Sequence, residues 1–439
     1  MYQMTAKRHS NRAGNLSYFL RYGAVVGVIK LASIPLVLSI SVLLARWLGP
    51  EEYGVYAISW SLATIGAVAV SGGVSQYLTR RVAMLNTKNR HPEVRPAITA
   101  SMQFVTLAAL LFLLVLAIGW MLDATSLKLS GQTIVLVFLS ATFIGVVNIG
   151  SAGLRGLERA SEGQLYLLIM APLTSILLLI LLMQIPVPRT SWAALAVMAA
   201  GYGLAASLSQ LRLRRLTKGF GRSGPAHTLV PALAVQSKGY IAYSTLMIVG
   251  LQLNLIMVGF LLQEEDVSYY NLADKAAQFV WLPVGIFELL MATRVARLHS
   301  EGNFGAIQKL YRSLSLAGGA AALLVAGLLY ALGEHIISLL LGPFYAGNIY
   351  PVLLLLLVAQ LIRAAFGPVT VTLLMTGRQN YCVASQLTGI AAIAAATWLL
   401  VPSYGLHGAG MAACIGMLAA SLPLAIGGYR TLGLRPLFL

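Results

Sequence analysis

Seven stretches of this chain run without a charged residue for long enough to cross a lipid bilayer. They are bracketed by Glu52 and Arg80, Arg95 and Asp123, Lys128 and Arg155, Glu162 and Arg189, Arg189 and Arg212, Lys238 and Glu264, and Arg312 and Glu334. Glu334 and Arg363 bracket another, and the run from Arg378 to Arg430 has room for two helices separated at Pro402-Ser403-Tyr404-Gly405. A bilayer offers backbone groups no water, so a chain crosses it either as helices of about 20 apolar residues or as a closed barrel of short alternating strands. Uninterrupted runs of this length select helices. Of 439 residues, 58% are hydrophobic and only 10% are charged, whereas soluble domains carry roughly 25% charge, so a water-soluble enzyme is excluded.

Two more spans carry internal charges: 22–47, with Lys30 inside, and 271–292, with Asp274, Lys275 and Glu288. The full set is twelve, placed near 22–47, 54–76, 97–121, 131–153, 164–186, 191–211, 240–262, 271–292, 313–333, 348–374, 381–401 and 406–428. The predicted fold is an all-α polytopic membrane protein. The first span is too long for a signal peptide and lacks a small-residue cleavage site, so it is read as a retained helix. Cys382 and Cys414 both lie in apolar stretches and form neither a disulfide framework nor a metal-ligand cluster.

The 30 basic and 13 acidic residues leave a formal charge of +17. With the N-terminus inside, 24 of the basic residues fall on inner segments and only Arg46, Lys128 and Arg189 on outer ones. The positive-inside rule therefore places both termini in the cytoplasm, and the excess charge is mainly topogenic. No nucleic-acid partner is implied; membrane lipids are the expected contact.

Shifting the chain against itself by 213 residues lays Glu51-Glu52 on Glu264-Glu265, Tyr56 on Tyr269, Ala63 on Ala276, Gly72 on Gly285, Arg81-Val82-Ala83 on Arg294-Val295-Ala296 and Leu85 on Leu298. The shift moves the chain by six helices, an even number, which is the pattern of a parallel repeat about an axis along the membrane normal. The expected organisation is a cytoplasmic segment at 1–21, a six-helix lobe at 22–211, a basic cytoplasmic linker at 212–239, a second six-helix lobe at 240–428 and a cytoplasmic tail at 429–439.

The stretch Leu48-Gly49-Pro50-Glu51-Glu52-Tyr53-Gly54-Val55-Tyr56 resembles the polysaccharide-transport (Wzx-type) flippases of the multidrug/oligosaccharidyl-lipid/polysaccharide (MOP) exporter superfamily. Four further stretches follow that family's pattern in order: Tyr270-Asn271-Leu272-Ala273-Asp274-Lys275, Leu341-Gly342-Pro343-Phe344-Tyr345-Ala346-Gly347, Met375-Thr376-Gly377-Arg378-Gln379 and Tyr404-Gly405-Leu406-His407-Gly408-Ala409-Gly410. The resemblance spans nearly the whole chain. It implies two six-helix bundles forming a V around a central cavity in a bacterial cytoplasmic membrane. It also implies an activity of flipping polyprenyl-pyrophosphate-linked oligosaccharides, beside glycosyltransferases and a polysaccharide polymerase as possible partners.

An ionised side chain at the bilayer centre costs roughly 2.5–3.5 kcal/mol on the mildest scale, so such residues should face a cavity or one another. Lys30, Arg363 and Lys275 are the candidate pyrophosphate cations. For Lys30 the plainer alternative is snorkelling to the interface; for Arg363 it is a structural partner in the second lobe. Lys30 shares a helical stripe with Ser33 and Ser41, beside a kink expected at Pro35. Arg363 shares one with Gln360, Gly367 and Thr370, and a guanidinium fork suits phosphate oxygens.

Asp274, Gln278, Trp281, Gly285 and Glu288 follow one another at spacings of 4, 3, 4 and 3, with Pro283 expected to bend the helix. Asp274 and Glu288 are candidates for coupling transport to a proton or sodium gradient, or else are structural partners of Lys275 and Arg363. Tyr56, Ser59, Tyr243, Gln252 and Asn254 either line a glycan path, with Gln278 and Gln360, or serve as hydrogen-bonding glue between helices.

The chain has no phosphate-binding loop of the Gly-x-x-x-x-Gly-Lys-Ser/Thr type and no His-Glu-x-x-His. Short outer loops leave little room for an extramembrane catalytic domain. Neither a catalytic residue nor a metal or organic cofactor is expected, and transport by alternating access is the leading reading. A cation-coupled drug antiporter of the same superfamily and a membrane-embedded glycosyltransferase are the alternatives.

Overall fold

The computed structural model describes residues 25, 27–121, 130–221 and 225–434. The N-terminal segment at 1–21, Lys128, Arg222 and Arg435 lie outside the described residues. Every element described is helical: α1 (Gly27–Leu48), α2 (Pro50–Thr87), α3 (Val94–Met121), α4 (Gly131–Gly156), α5 (Ala160–Leu165), α6 (Ala171–Met183), α7 (Ser191–Leu216), α8 (Val230–Leu261), α9 (Glu264–Ala277), α10 (Leu282–Ser300), α11 (Phe304–Leu341), α12 (Pro343–Ala365), α13 (Val369–Met375) and α14 (Gln379–Leu432). Ten helical segments among the described residues are long and apolar enough to cross a membrane, and the chain is a multi-pass membrane protein.

The helices are longer than the hydrophobic pattern alone marks, because polar and basic residues continue them beyond the apolar core. α2 runs to Thr87, past the basic pair Arg80-Arg81, and α8 starts at Val230, inside the stretch read as linker. Breaks occur where the backbone requires them. α14 contains a non-helical Gly405 (φ 55°, ψ −135°), which narrows the expected Pro402–Gly405 turn to one residue. α1 continues through Pro35. The expected bend at Pro283 takes the form of a 3-10 turn, Gln278–Trp281, after which α10 restarts with the proline in its first turn. There its missing N–H costs no helical bond.

Packing neighbours in the two halves correspond. α2 packs on α3 and α4, and α4 on α7; α9 and α10 pack on α12 and α11, and α12 on α14. The buried apolar residues form one core common to both halves at the end carrying the α1–α2, α8–α9 and α11–α12 turns. It includes Leu44, Tyr53 and Leu195 from the first half and Ala273, Leu353 and Ala409 from the second. At the opposite end the cores are separate. Val70, Leu78, Val82, Ile149 and Leu213 form one, together with Leu233 from the start of α8. Met291, Val295, Ile307, Tyr311 and Leu373 form the other.

Candidate functional site: charged residues where the cores part

The end with the common core is tied by two matching turns. Gly49 (φ 80°) and Gly342 (φ 101°) each end one helix and precede a proline that opens the next. That backbone conformation is open to glycine and strained for other residues, and the proline fits the first helical turn. Each turn reaches the other. The Arg46 guanidinium donates to the Leu340 carbonyl and, at 3.0 Å, to the Leu339 carbonyl; the Tyr345 hydroxyl donates to the Ala45 carbonyl at 3.1 Å. Beside this clasp α2 and α9 meet backbone to backbone: a Cβ on Gly54 would collide with the Glu264 carbonyl.

Below the clasp, Lys275 of α9 spans the two halves. Its ammonium donates to Ser41 Oγ at 2.8 Å and to the Tyr53 hydroxyl at 3.5 Å. Tyr53 in turn donates to Asn271 Oδ1 at 3.0 Å, and Ser41 to the Val37 carbonyl at 3.0 Å. Two of the predicted site residues, Lys275 and Ser41, are thus bonded to each other. Lys275 is half-buried and its donors point to fixed hydroxyls.

Arg363, near the end of α12, is also half-buried, but its surroundings differ. Its guanidinium carbon lies 3.8 Å from the centre of the Trp281 ring. Among the described residues no carboxylate lies within ion-pair distance of it. Asp274 and Glu288 act on it at longer range, and Lys30, exposed on α1, acts on Glu288. Gln278 donates its amide to Asp274 Oδ2 at 2.8 Å, filling one acceptor site on that carboxylate. Gln360, one turn from Arg363, is 5% exposed, and its Oε1 has no partner among the described residues. These groups come together from α1, α9, α10 and α12, where the common core gives way to the two separate ones.

Of the other predicted residues, Ser33 adjoins Lys30 on α1, and the rest bond elsewhere. Ser33 donates to the Lys30 carbonyl at 2.7 Å and Ser59, fully buried, to the Val55 carbonyl at 2.8 Å. Tyr56 stacks on Trp60 within the common core. Gln252 donates to Thr64 Oγ1 at 2.9 Å, joining α8 to α2. Asn254 donates to the Tyr270 hydroxyl at 2.7 Å and to the Ala409 carbonyl at 3.1 Å, and accepts from Thr397 at 2.9 Å. Tyr243 is half-buried on α8. Sequence reasoning placed Trp281 on the polar stripe without a role and passed over Tyr53 and Asn271. Their meaning depends on partners remote in sequence, although the position of Trp281 between Asp274 and Glu288 was a signal in plain view.

The architecture is that of MOP-superfamily transporters. It aligns with an inward-facing multidrug resistance MATE family transporter of that superfamily at a TM-score of 0.74 and 13% identity, over 92% of this chain and 98% of that one. The lipid II flippase MurJ in an inward closed conformation aligns at 0.72 and 13% identity, over 93% and 88%. An outward-facing MATE family transporter aligns at 0.59 and 13% identity, over 93% and 95%. Residues 19–295, more than half of the chain, match the family described as polysaccharide biosynthesis protein, and the chain belongs to that family. No curated protein matches the sequence.

Proposed function

We propose that this protein flips a polyprenyl-pyrophosphate-linked oligosaccharide across a bacterial cytoplasmic membrane by alternating access. Both termini are inside, and the clasped end faces outward. The observation that carries this reading is Arg363: a half-buried guanidinium near the end of a membrane helix, resting on a ring and free of any close carboxylate among the described residues. Its in-plane donors are available to an oxyanion, and two such bonds to a pyrophosphate would be charge-assisted. Lys30, exposed nearer the inner end, attracts the headgroup on entry. The lipid tail stays in the bilayer while the sugar passes between the halves. Family membership supports the pathway: glycosyl transfer onto the lipid precedes this step and polymerisation follows it. Asp274 and Glu288 are the groups assigned to coupling with a proton or sodium gradient, since each lies within electrostatic range of Arg363.

The test is transfer of a labelled undecaprenyl-pyrophosphate oligosaccharide between leaflets of proteoliposomes. Arg363→Ala should reduce the rate at least tenfold and Lys30→Ala by less, since the exposed lysine acts through screened attraction. Undiminished transfer by both variants would overturn the anionic-headgroup mechanism. Binding of organic cations in place of the lipid, abolished by Asp274→Asn, would favour a drug antiporter.

A further inference from the structure

We infer that Trp281 is a positioning residue for anion capture: its ring face holds the Arg363 guanidinium so that the donors along the guanidinium edge stay available. This inference rests on the pyrophosphate site proposed above and specifies how that site is kept ready while empty.

A guanidinium in an apolar surrounding needs a partner, and there are two kinds. A carboxylate satisfies it by occupying the same in-plane N–H groups that a phosphate would use, so substrate must first displace the carboxylate. An aromatic face satisfies it from above, through the ring quadrupole, and leaves the in-plane groups unoccupied. Arg363 has the second kind of partner, with its guanidinium carbon 3.8 Å from the Trp281 ring centre. Neither of the carboxylates that might have provided the first kind lies within ion-pair distance of it, and Asp274 accepts instead from Gln278 at 2.8 Å.

Local backbone serves the same end. Trp281 closes the 3-10 turn Gln278–Trp281, and α10 restarts immediately after it. The tighter winding of that turn sets the direction of the indole differently from an uninterrupted α-helix. On the following turn Gly285 lies beside the ring, where a Cβ would only reach ordinary van der Waals contact, 3.8 Å from Trp281 Nε1. Trp is also the strongest of the aromatic faces for a cation.

The experiment measures binding of inorganic pyrophosphate to the full-length purified protein by calorimetry, for the wild type and for Trp281→Phe, Trp281→Tyr, Trp281→Met and Arg363→Gln. Phe and Tyr retain a ring face and should keep the Kd within about threefold of the wild type, whereas Met fills volume without a face and should weaken binding by about tenfold. Trp281→Leu replaces the methionine variant if that chain does not accumulate. A purely space-filling role predicts that Met does as well as Phe, and that result would overturn the inference. Wild-type affinity in Arg363→Gln, or no binding by the wild type, would overturn the pyrophosphate site itself. Loss of binding in Arg363→Gln with normal binding in Trp281→Met would remove the role of the ring alone.

Discussion

Lys275 and Arg363 are both cations half-buried among membrane helices, yet their partners give them different roles. Lys275 spends its donors on Ser41 and Tyr53, one on each of the first two helices, and so ties the second half to the first. Arg363 rests on Trp281. Replacing Lys275 by Met should therefore lower the melting temperature of the purified protein by several degrees, with pyrophosphate affinity changing less than in Arg363→Gln. Removing one partner of a buried charged hydrogen bond leaves the other group unsatisfied, a cost of roughly 1–3 kcal/mol. Tyr53→Phe should show a smaller loss of the same kind, because Ser41 still receives the ammonium. A melting temperature unchanged in both variants would mean that the contact carries no load. The sequence marked Lys275 as a charge in a span and nothing more. Its partners lie more than two hundred residues away, and no periodicity along one helix reports a hydrogen bond to another.

At the scale of elements, the matching Leu-Gly-Pro turns at 48–50 and 341–343 were legible as turns, and their glycine and proline signals correctly placed helix ends. What the pattern did not reveal is that they face each other. Arg46 is one of the few basic residues on the outer side of the predicted topology. Its guanidinium bonds the carbonyls at the end of α11, which lack partners within their own helix. Arg46→Ala should weaken the clasp and raise the reactivity of a cysteine placed at Ala45, a buried position, toward a thiol reagent added from outside. Gly54 is a sharper probe of the same end. Gly54→Ala forces α2 away from Glu264, whereas Gly119→Ala, with open space around the new methyl, does not. Thermal unfolding should show a loss of several degrees for the first substitution and little change for the second. The expected linker at 212–239 illustrates the reverse limit. Its charges read as surface, but Arg212, Arg214 and Arg215 continue α7 to Leu216, and Lys238 sits on α8, whose Leu233 packs into the core of the first half. A charged helix end looks like a loop when burial is judged from composition.

For the whole molecule, the distribution of apolar cores indicates which end is shut. Helix class and apolar spans followed from the bilayer's demand for about 20 apolar residues per crossing. The merging of cores at one end and their separation at the other depends on tertiary contacts that no single span encodes. If the separated end faces the cytoplasm, a cysteine at Lys30 should react with an impermeant reagent from the inside. One at Ala45 should be protected from both sides. Cys382→Ala and Cys414→Ala remove the native thiols for this measurement, and equal reactivity of the two sites would contradict the assignment.

The one-piece α2 also has a mechanical consequence. From Tyr56, within the common core, to its far end at Thr87, the helix extends roughly 45 Å at 1.5 Å per residue. Each degree of rigid rotation about the clasp would displace its tip by about 0.8 Å, and a swing of about 12° would move it on the order of 10 Å. Such a swing would also have to part α2 from α8, to which it is joined along its length by Gln252–Thr64 and Tyr77–Gln236.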